Sequence, residues 1–315
     1  MTGAYLFRLL QTTGQIVHLF DKPIATRCGL TPCAWGTSRG FQELVEAAGL
    51  DPSEYILNHF DHLLMDGFKI RAELMTFDKQ RLIKDLLQGA EIHYARPDFS
   101  GYDRIIDASG VARAALPPIS EDLVLPCIQS RVITEAPLDN RVKLGPIGYA
   151  WCFPLSDMEY HIGCGSLATD PQSILKELDW LEKSLSSGFR LCGCSGRIRL
   201  TGPQGSQPFV HRTQDREIWG VGEAIGCVAP LAGDGIVPGM RSVQILLQWW
   251  DSPLNYTRAI LREFAWMKKE RRVLDKLKEG KKLGWRDAGV LKRNSKRMGM
   301  RVGFKQAAEL LNRLS

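Results

Sequence analysis

Apolar positions recur at helical spacing in AYLFRLLQTTG, residues 4–14, and a glycine closes the run. Side chains three and four apart share one face of a helix, so this spacing predicts one. QIVHLFD, residues 15–21, is β-branched and aromatic, ends in an acid, and predicts a short strand. TRCGLTPCAWG, residues 26–36, has the composition of a loop. From there to about Leu87 the spacing predicts amphipathic helices, broken near DGFKI at residues 66–70, with His59 and His62 on a surface helix around Asp61. YDRIIDASG, residues 102–110, predicts a strand entering a glycine turn. CIQSRVI, RVKLGPIGYAWCF and MEYHIGCGSLA, between residues 127 and 168, predict antiparallel strands, and residues 172–186 a helix. Residues 217–250 then predict strand, glycine-rich loop and helix, and from Pro253 the pattern is helical. Alternating strands and helices at both ends, with an antiparallel block between them, predict an α/β fold carrying an inserted β-sheet domain and C-terminal helices. The divisions fall at 1–118, 119–204, 205–252 and 253–315.

Composition narrows the class. With 44% hydrophobic and 24% charged residues, the 315-residue chain has the make-up of an ordinary globular protein with a large core. No apolar run approaches the roughly 18 residues of a membrane span, and the N-terminus lacks the layout of a signal peptide. Eight scattered cysteines argue against a disulfide framework and point to a reducing cytoplasm. Cys192 and Cys194 are too close for a zinc knuckle, no C-x-x-C partner exists, and no metal site is expected. Charge is uneven: residues 268–315 hold 16 Lys and Arg against 5 Asp and Glu, whereas the whole chain is only +6. Such a basic tail suits a solvated helical surface or an anionic membrane face, and no recognisable nucleic-acid module accompanies it.

Three stretches carry candidate chemistry. Gly3 opens the first helix and Asp21 ends the strand after it, 18 residues on. That is the layout of the last glycine and the ribose-binding acid of a dinucleotide fold. The strand that should precede Gly3 is missing, and a start upstream of Met1 is expected. An open sheet would otherwise lose about 1–3 kcal/mol for each buried, unpaired backbone group. GEAIGCVAPLAGDGI, residues 222–236, has glycines that let a backbone approach a ligand and aims the next helix's N-terminus into the loop. Glu223 there could accept hydrogen bonds from a sugar hydroxyl. Finally, Tyr149, Trp151 and Phe153 alternate along GPIGYAWCFPL, which sets three rings on one strand face. Such alternation also serves ordinary sheet cores.

Pro146 to Pro154, PIGYAWCFP, matches every fixed position of the P-x-x-Y-x-W-x-F-P signature of the geranylgeranyl reductase family, and the chain resembles that family. The glycine loop resembles the family's G-D-A-A-G-x-x-x-P-x-x-G-x-G-I segment at Gly222, Ala224, Gly226, Pro230, Gly233, Gly235 and Ile236, with Glu223 in place of the Asp. Arg27 to Gly29 resembles the basic-Cys-Gly loop, and Asp107 to Gly110 the A-D-G segment with Ser109 in place of Asp. The matches span residues 3 to about 250, and the aromatic signature is the most specific. The family's first strand and leading glycines are absent, and the β-meander before residue 102 is shortened.

The resemblance implies a p-hydroxybenzoate-hydroxylase type of fold with a Rossmann-like FAD-binding domain (parts 1–118 and 205–252) around a substrate domain at 119–204. It implies FAD held by Gly3, Asp21, Cys28, Gly29, Glu223, Gly233, Gly235 and Ile236. Tyr149, Trp151 and Phe153 would line an isoprenoid tunnel, with Cys28 beside the flavin as the candidate catalytic residue. The implied activity is reduction of carbon–carbon double bonds in an isoprenoid lipid. Electrons would come from an external donor, a ferredoxin, a nicotinamide or a deazaflavin. The setting would be cytoplasmic, at the inner face of a membrane. Two rivals share these residues. Flavin-dependent halogenases and hydroxylases have the same fold, with a W-x-W-x-I-P segment from which Tyr149 and Phe153 depart. A homologue that binds isoprenoid lipid without catalysis would keep only the aromatic row.

Overall fold

The computed structural model describes residues 1–23, 33–95, 97–145, 147–178, 180, 188–214 and 216–313. The first half contains α1 (Thr2–Leu10), β1 (Leu19–Phe20), β2 (Gly36–Thr37), α2 (Phe41–Ala47), β3 (Ile56–Met65), β4 (Phe68–Phe77), α3 (Lys79–Leu86), β5 (Ile92–His93) and β6 (Arg104–Asp107). The middle contains β7 (Val124–Ile133), β8 (Arg141–Gly145), β9 (Gly148–Pro154), β10 (Glu159–Ser166), α4 (Pro171–Leu178) and β11 (Phe189–Arg199). β12 (Val210–Arg212) and β13 (Glu217–Gly220) precede the helices α5 (Ile236–Gln248), α6 (Pro253–Glu263), α7 (Met267–Lys278), α8 (Trp285–Arg297) and α9 (Phe304–Asn312).

The α/β class is as the pattern predicts, but residues 56–77 are not helical. They form the hairpin β3–β4. Asp66 and Gly67 both take positive φ, 52° and 85°, which is the requirement of a tight two-residue hairpin turn. DGFKI therefore turns one strand into the next rather than breaking a helix. Along β4, Ile70, Ala72 and Leu74 are buried while Lys69, Arg71 and Glu73 are exposed, a period of two that outweighs the helical spacing. His59 and His62 lie on β3, and Asp61 is hydrogen-bonded to His62. Among the described residues no three His, Cys, Asp or Glu side chains cluster as a metal site.

An eight-stranded sheet runs β11-β7-β10-β9-β8-β3-β4-β2, antiparallel except where β3 meets β8. β9 sits inside it, so its side chains point to two different cores. Trp151 packs with Phe60, Leu63 and Leu74 under α8 and α9, and Tyr149 and Phe153 lie against the same cluster. Ala150 and Cys152 face the other way, into a small core covered by α4. Gly163 opposite Trp151 is required by that ring: a Cβ there would come within 2.4 Å of it.

A mainly parallel layer stands beside this sheet in two pieces, β1-β5 and β12-β13-β6, with β12 antiparallel to β13. Of QIVHLFD only Leu19 and Phe20 pair in a sheet. α1 buries Tyr5, Leu6 and Leu10 in the core it shares with α5. Its first turn is wedged between residue 222 and α5, where a Cβ on Gly222 or Gly239 would lie 2.7 Å from Thr2 Oγ1. Among the described residues no helix is long and apolar enough to cross a membrane.

Candidate functional site

One cavity of about 1500 Å³ separates the parallel layer from the large sheet. It collects nearly all the residues singled out in the sequence. Gly3 borders it at the first turn of α1, and Asp21 at the end of β1. Glu223, Gly233, Gly235 and Ile236 border it from the loop before α5, and Tyr149, Trp151 and Phe153 from β9. Cys28 and Gly29 lie outside the described residues. The cavity also reaches both edges of the split layer, at residues 18–21 around β1 and 103–108 around β6.

Each wall is held by identifiable contacts. Asp21 is anchored through its backbone N–H, which donates to the carbonyl of His93 at 3.1 Å. The turn after β6 is built on buried Asp107. One carboxylate oxygen accepts from Ser109 N and Oγ (3.0 and 2.6 Å), the other from Ala115 and Leu116 N (2.8 and 2.9 Å). Glu223 Oε1 accepts from Arg199 N at 2.7 Å, so this carboxylate already ties β11 to the glycine loop. Burial pushes its carboxyl above the usual range, with the Arg199 amide opposing.

Asp234 was not singled out by sequence, although it sits between the two glycines of the loop. It borders the cavity, accepts from Ile236 N at 3.1 Å, and accepts the Ser38 hydroxyl at 3.3 Å. Desolvation raises its pKa despite those two donors. Its solvent-accessible face is the cavity itself. Cys33 borders the cavity as well. Cys127 does too, but burial pushes its thiol up to about 12 and leaves it inert near neutral pH.

The aromatic wall meets this loop directly. Tyr149 donates its hydroxyl to the carbonyl of Ala232, and Trp151 Nε1 donates to Gln129 Oε1 at 3.1 Å. Phe153 lies 5.9 Å from Phe60, centroid to centroid, and packs close to Gly36, where a Cβ would sit 3.2 Å from its ring. α8 closes the far side with Leu291, Asn294, Ser295 and Met298.

No known family profile matches the chain. An uncharacterized protein of Methanocaldococcus jannaschii is 21% identical over 328 residues, 87% of this chain and 89% of that protein. Among solved structures, a geranylgeranyl bacteriochlorophyll reductase-like protein from Thermoplasma acidophilum superposes with a TM-score of 0.72, at 16% identity, over 99% of this chain and 92% of that one. A triple mutant of a flavin-dependent brominase gives 0.61 at 13% identity, over 99% and 91%. A probable FAD-dependent monooxygenase from Pseudomonas aeruginosa gives 0.57 at 16%, over 92% and 96%. The fold is that of FAD-dependent oxidoreductases. At these identities the likeness speaks for the fold alone, and the chemistry must come from the cavity.

The residues present fit such a cofactor. The volume exceeds the roughly 300–1,000 Å³ of a one-ligand site and leaves space for a second, apolar molecule. The first turn of α1, which has no side-chain cap, borders the cavity, and a helix N-terminus favours an anionic group. Thr37 Oγ1 and Asn294 Oδ1, both buried on the wall, have no protein partner.

Proposed function

We propose that this chain is an FAD-dependent reductase of carbon–carbon double bonds in an isoprenoid lipid. One observation carries the proposal: the aromatic row and the glycine loop border the same cavity, joined by the Tyr149–Ala232 hydrogen bond. An isoprenoid chain offers no hydrogen-bonding handle and is held by shape and apolar area. Tyr149, Trp151 and Phe153 offer that area, extended by Phe60, Leu63 and Met300.

In this reading segments 1–118 and 205–252 hold the cofactor, and 119–204 holds the substrate together with the β3–β4 hairpin. The α1 amides at Gly3 would hold the diphosphate, and Asp21 and Glu223 would accept from the sugar hydroxyls. Gly233, Gly235 and Ile236 would hold the ring system, and the family resemblance adds Cys28 and Gly29 to that set. When bound and reduced by an external donor, FAD supplies hydride equivalents. Saturating an alkene needs a proton for the second carbon. Asp234, whose pKa desolvation raises, is the group placed to hold it, and Cys28 is the second candidate. The apolar wall excludes water from the reacting carbons. A ferredoxin, a nicotinamide or a deazaflavin serves as donor, and the setting is cytoplasmic, against a membrane.

The test is anaerobic incubation of chemically reduced protein with a geranylgeranyl lipid, followed by mass spectrometry. Gain of two hydrogens for each bond saturated supports the proposal. Oxygen-dependent hydroxylation or halogenation of a phenol or indole, with no gain of hydrogen by the lipid, replaces it with the monooxygenase or halogenase reading. Lipid binding without turnover leaves the non-catalytic one.

A further inference from the structure

Helix α8 is a wall between two spaces. Leu291, Asn294, Ser295 and Met298 face the large cavity, while Gly289, Lys292, Arg293 and Lys296 face a second, open groove of about 770 Å³. Met300 borders both.

The groove is strongly basic. Arg39, Lys292, Arg293, Lys296 and Arg301 line it, with Glu73 as the one acid among its described lining residues. Glu73 pairs with Arg39 at 3.2 Å and lies 3.9 Å from Arg301. Lys292, Arg293 and Lys296 have no acidic partner among the described residues, and all three are exposed. Three unneutralised cations within two turns of one helix repel each other, and a concave setting favours an anion with several oxygens. At the rim, Trp285 stacks on Phe304 at 5.4 Å and 11°, although they are 71% and 39% exposed. An exposed ring pair beside a cluster of cations is the combination that seats a protein in the headgroup region of a bilayer.

We propose that this groove binds the phosphate headgroup of anionic membrane lipids, with Trp285 and Phe304 entering the interface. The protein is thereby set on the membrane with its lipid cavity one helix away. That placement serves the isoprenoid reading, on which only the link to the substrate rests; the headgroup site stands on the groove itself.

The test is sedimentation of the full chain, carrying whatever cofactor it purifies with, against phosphatidylcholine vesicles with and without phosphatidylglycerol. The protein is expected to bind only the anionic vesicles. The combined substitution Lys292→Ala, Arg293→Ala, Lys296→Ala should lower partitioning on the order of a hundredfold, from a roughly fivefold loss per cation. Trp285→Ala should give a smaller loss that salt does not mimic. Equal binding by wild type and the triple variant overturns the proposal. Calorimetry with inorganic pyrophosphate separates the sources. Binding of pyrophosphate without binding of anionic vesicles overturns the membrane headgroup in favour of a soluble phosphate. No step of this assay requires flavin or turnover, so a failed reductase assay leaves it intact.

Discussion

Tyr149 donates its hydroxyl to the main-chain carbonyl of Ala232, which fastens the head of the aromatic row to the loop before α5. Gly233 follows at once, and a Cβ there would meet the Tyr149 oxygen at 2.7 Å. The aromatic row and the glycine loop are therefore one mechanical unit. Tyr149→Phe removes the tie and leaves the ring. A hydrogen bond of about 1 kcal/mol then predicts a roughly fivefold weaker hold on FAD, measured by titrating the cofactor-free protein.

Asp234 as the proposed proton donor predicts a pH dependence. Its pKa is raised by desolvation, and the protonated form is the one that can donate. Turnover is therefore expected to be constant at low pH and to fall as pH rises through that pKa. Asp234→Asn should lower kcat by about 10²–10⁴ and abolish this limb of the profile, with KM little changed. An unaltered profile would remove Asp234 from the proton path.

Glu270 on α7 affects stability in the opposite direction from an ordinary carboxylate. It is 1% exposed, and its carboxylate accepts from Leu231 N at 3.4 Å. Burial lifts its pKa from 4.5 to about 8. The folded state therefore holds this proton more tightly than the unfolded chain does. Its contribution is complete below the unfolded value near 4.5 and is lost as pH rises through about 8. Thermal unfolding from pH 5 to 9 should show Tm falling across that window. Glu270→Gln should flatten the slope.

Phe153 and Trp151 should separate substrate binding from folding. Trp151 is 6% exposed and hydrogen-bonded to Gln129, so Trp151→Ala should cost about 3–5 kcal/mol in denaturant unfolding. Phe153 is only half-buried, and its free face is cavity. Phe153→Ala should cost less stability and raise KM for a long prenyl chain on the order of tenfold.

The parts of this protein that were legible in the sequence are those fixed by local period. The alternation of β9, the strand at Arg104–Asp107, the antiparallel block and the C-terminal helices all show it. The β3–β4 hairpin is not legible as such, because apolar residues in its strands also fall at helical spacing and Asp66-Gly67 reads equally as a helix break. Asp234 stood in plain view between two glycines, but its role depends on Ser38, 196 residues away, and on burial that no local pattern reports. Asn294 joins the cavity only because α8 folds back over the large sheet.

The most direct measurement is the visible absorption spectrum of the purified protein, before and after incubation with FAD. The proposal predicts an oxidised-flavin spectrum that bleaches on anaerobic reduction, and FAD as the released cofactor. A protein that is colourless as purified and remains so with excess FAD would contradict it, leaving the aromatic row as the wall of a lipid-binding cavity.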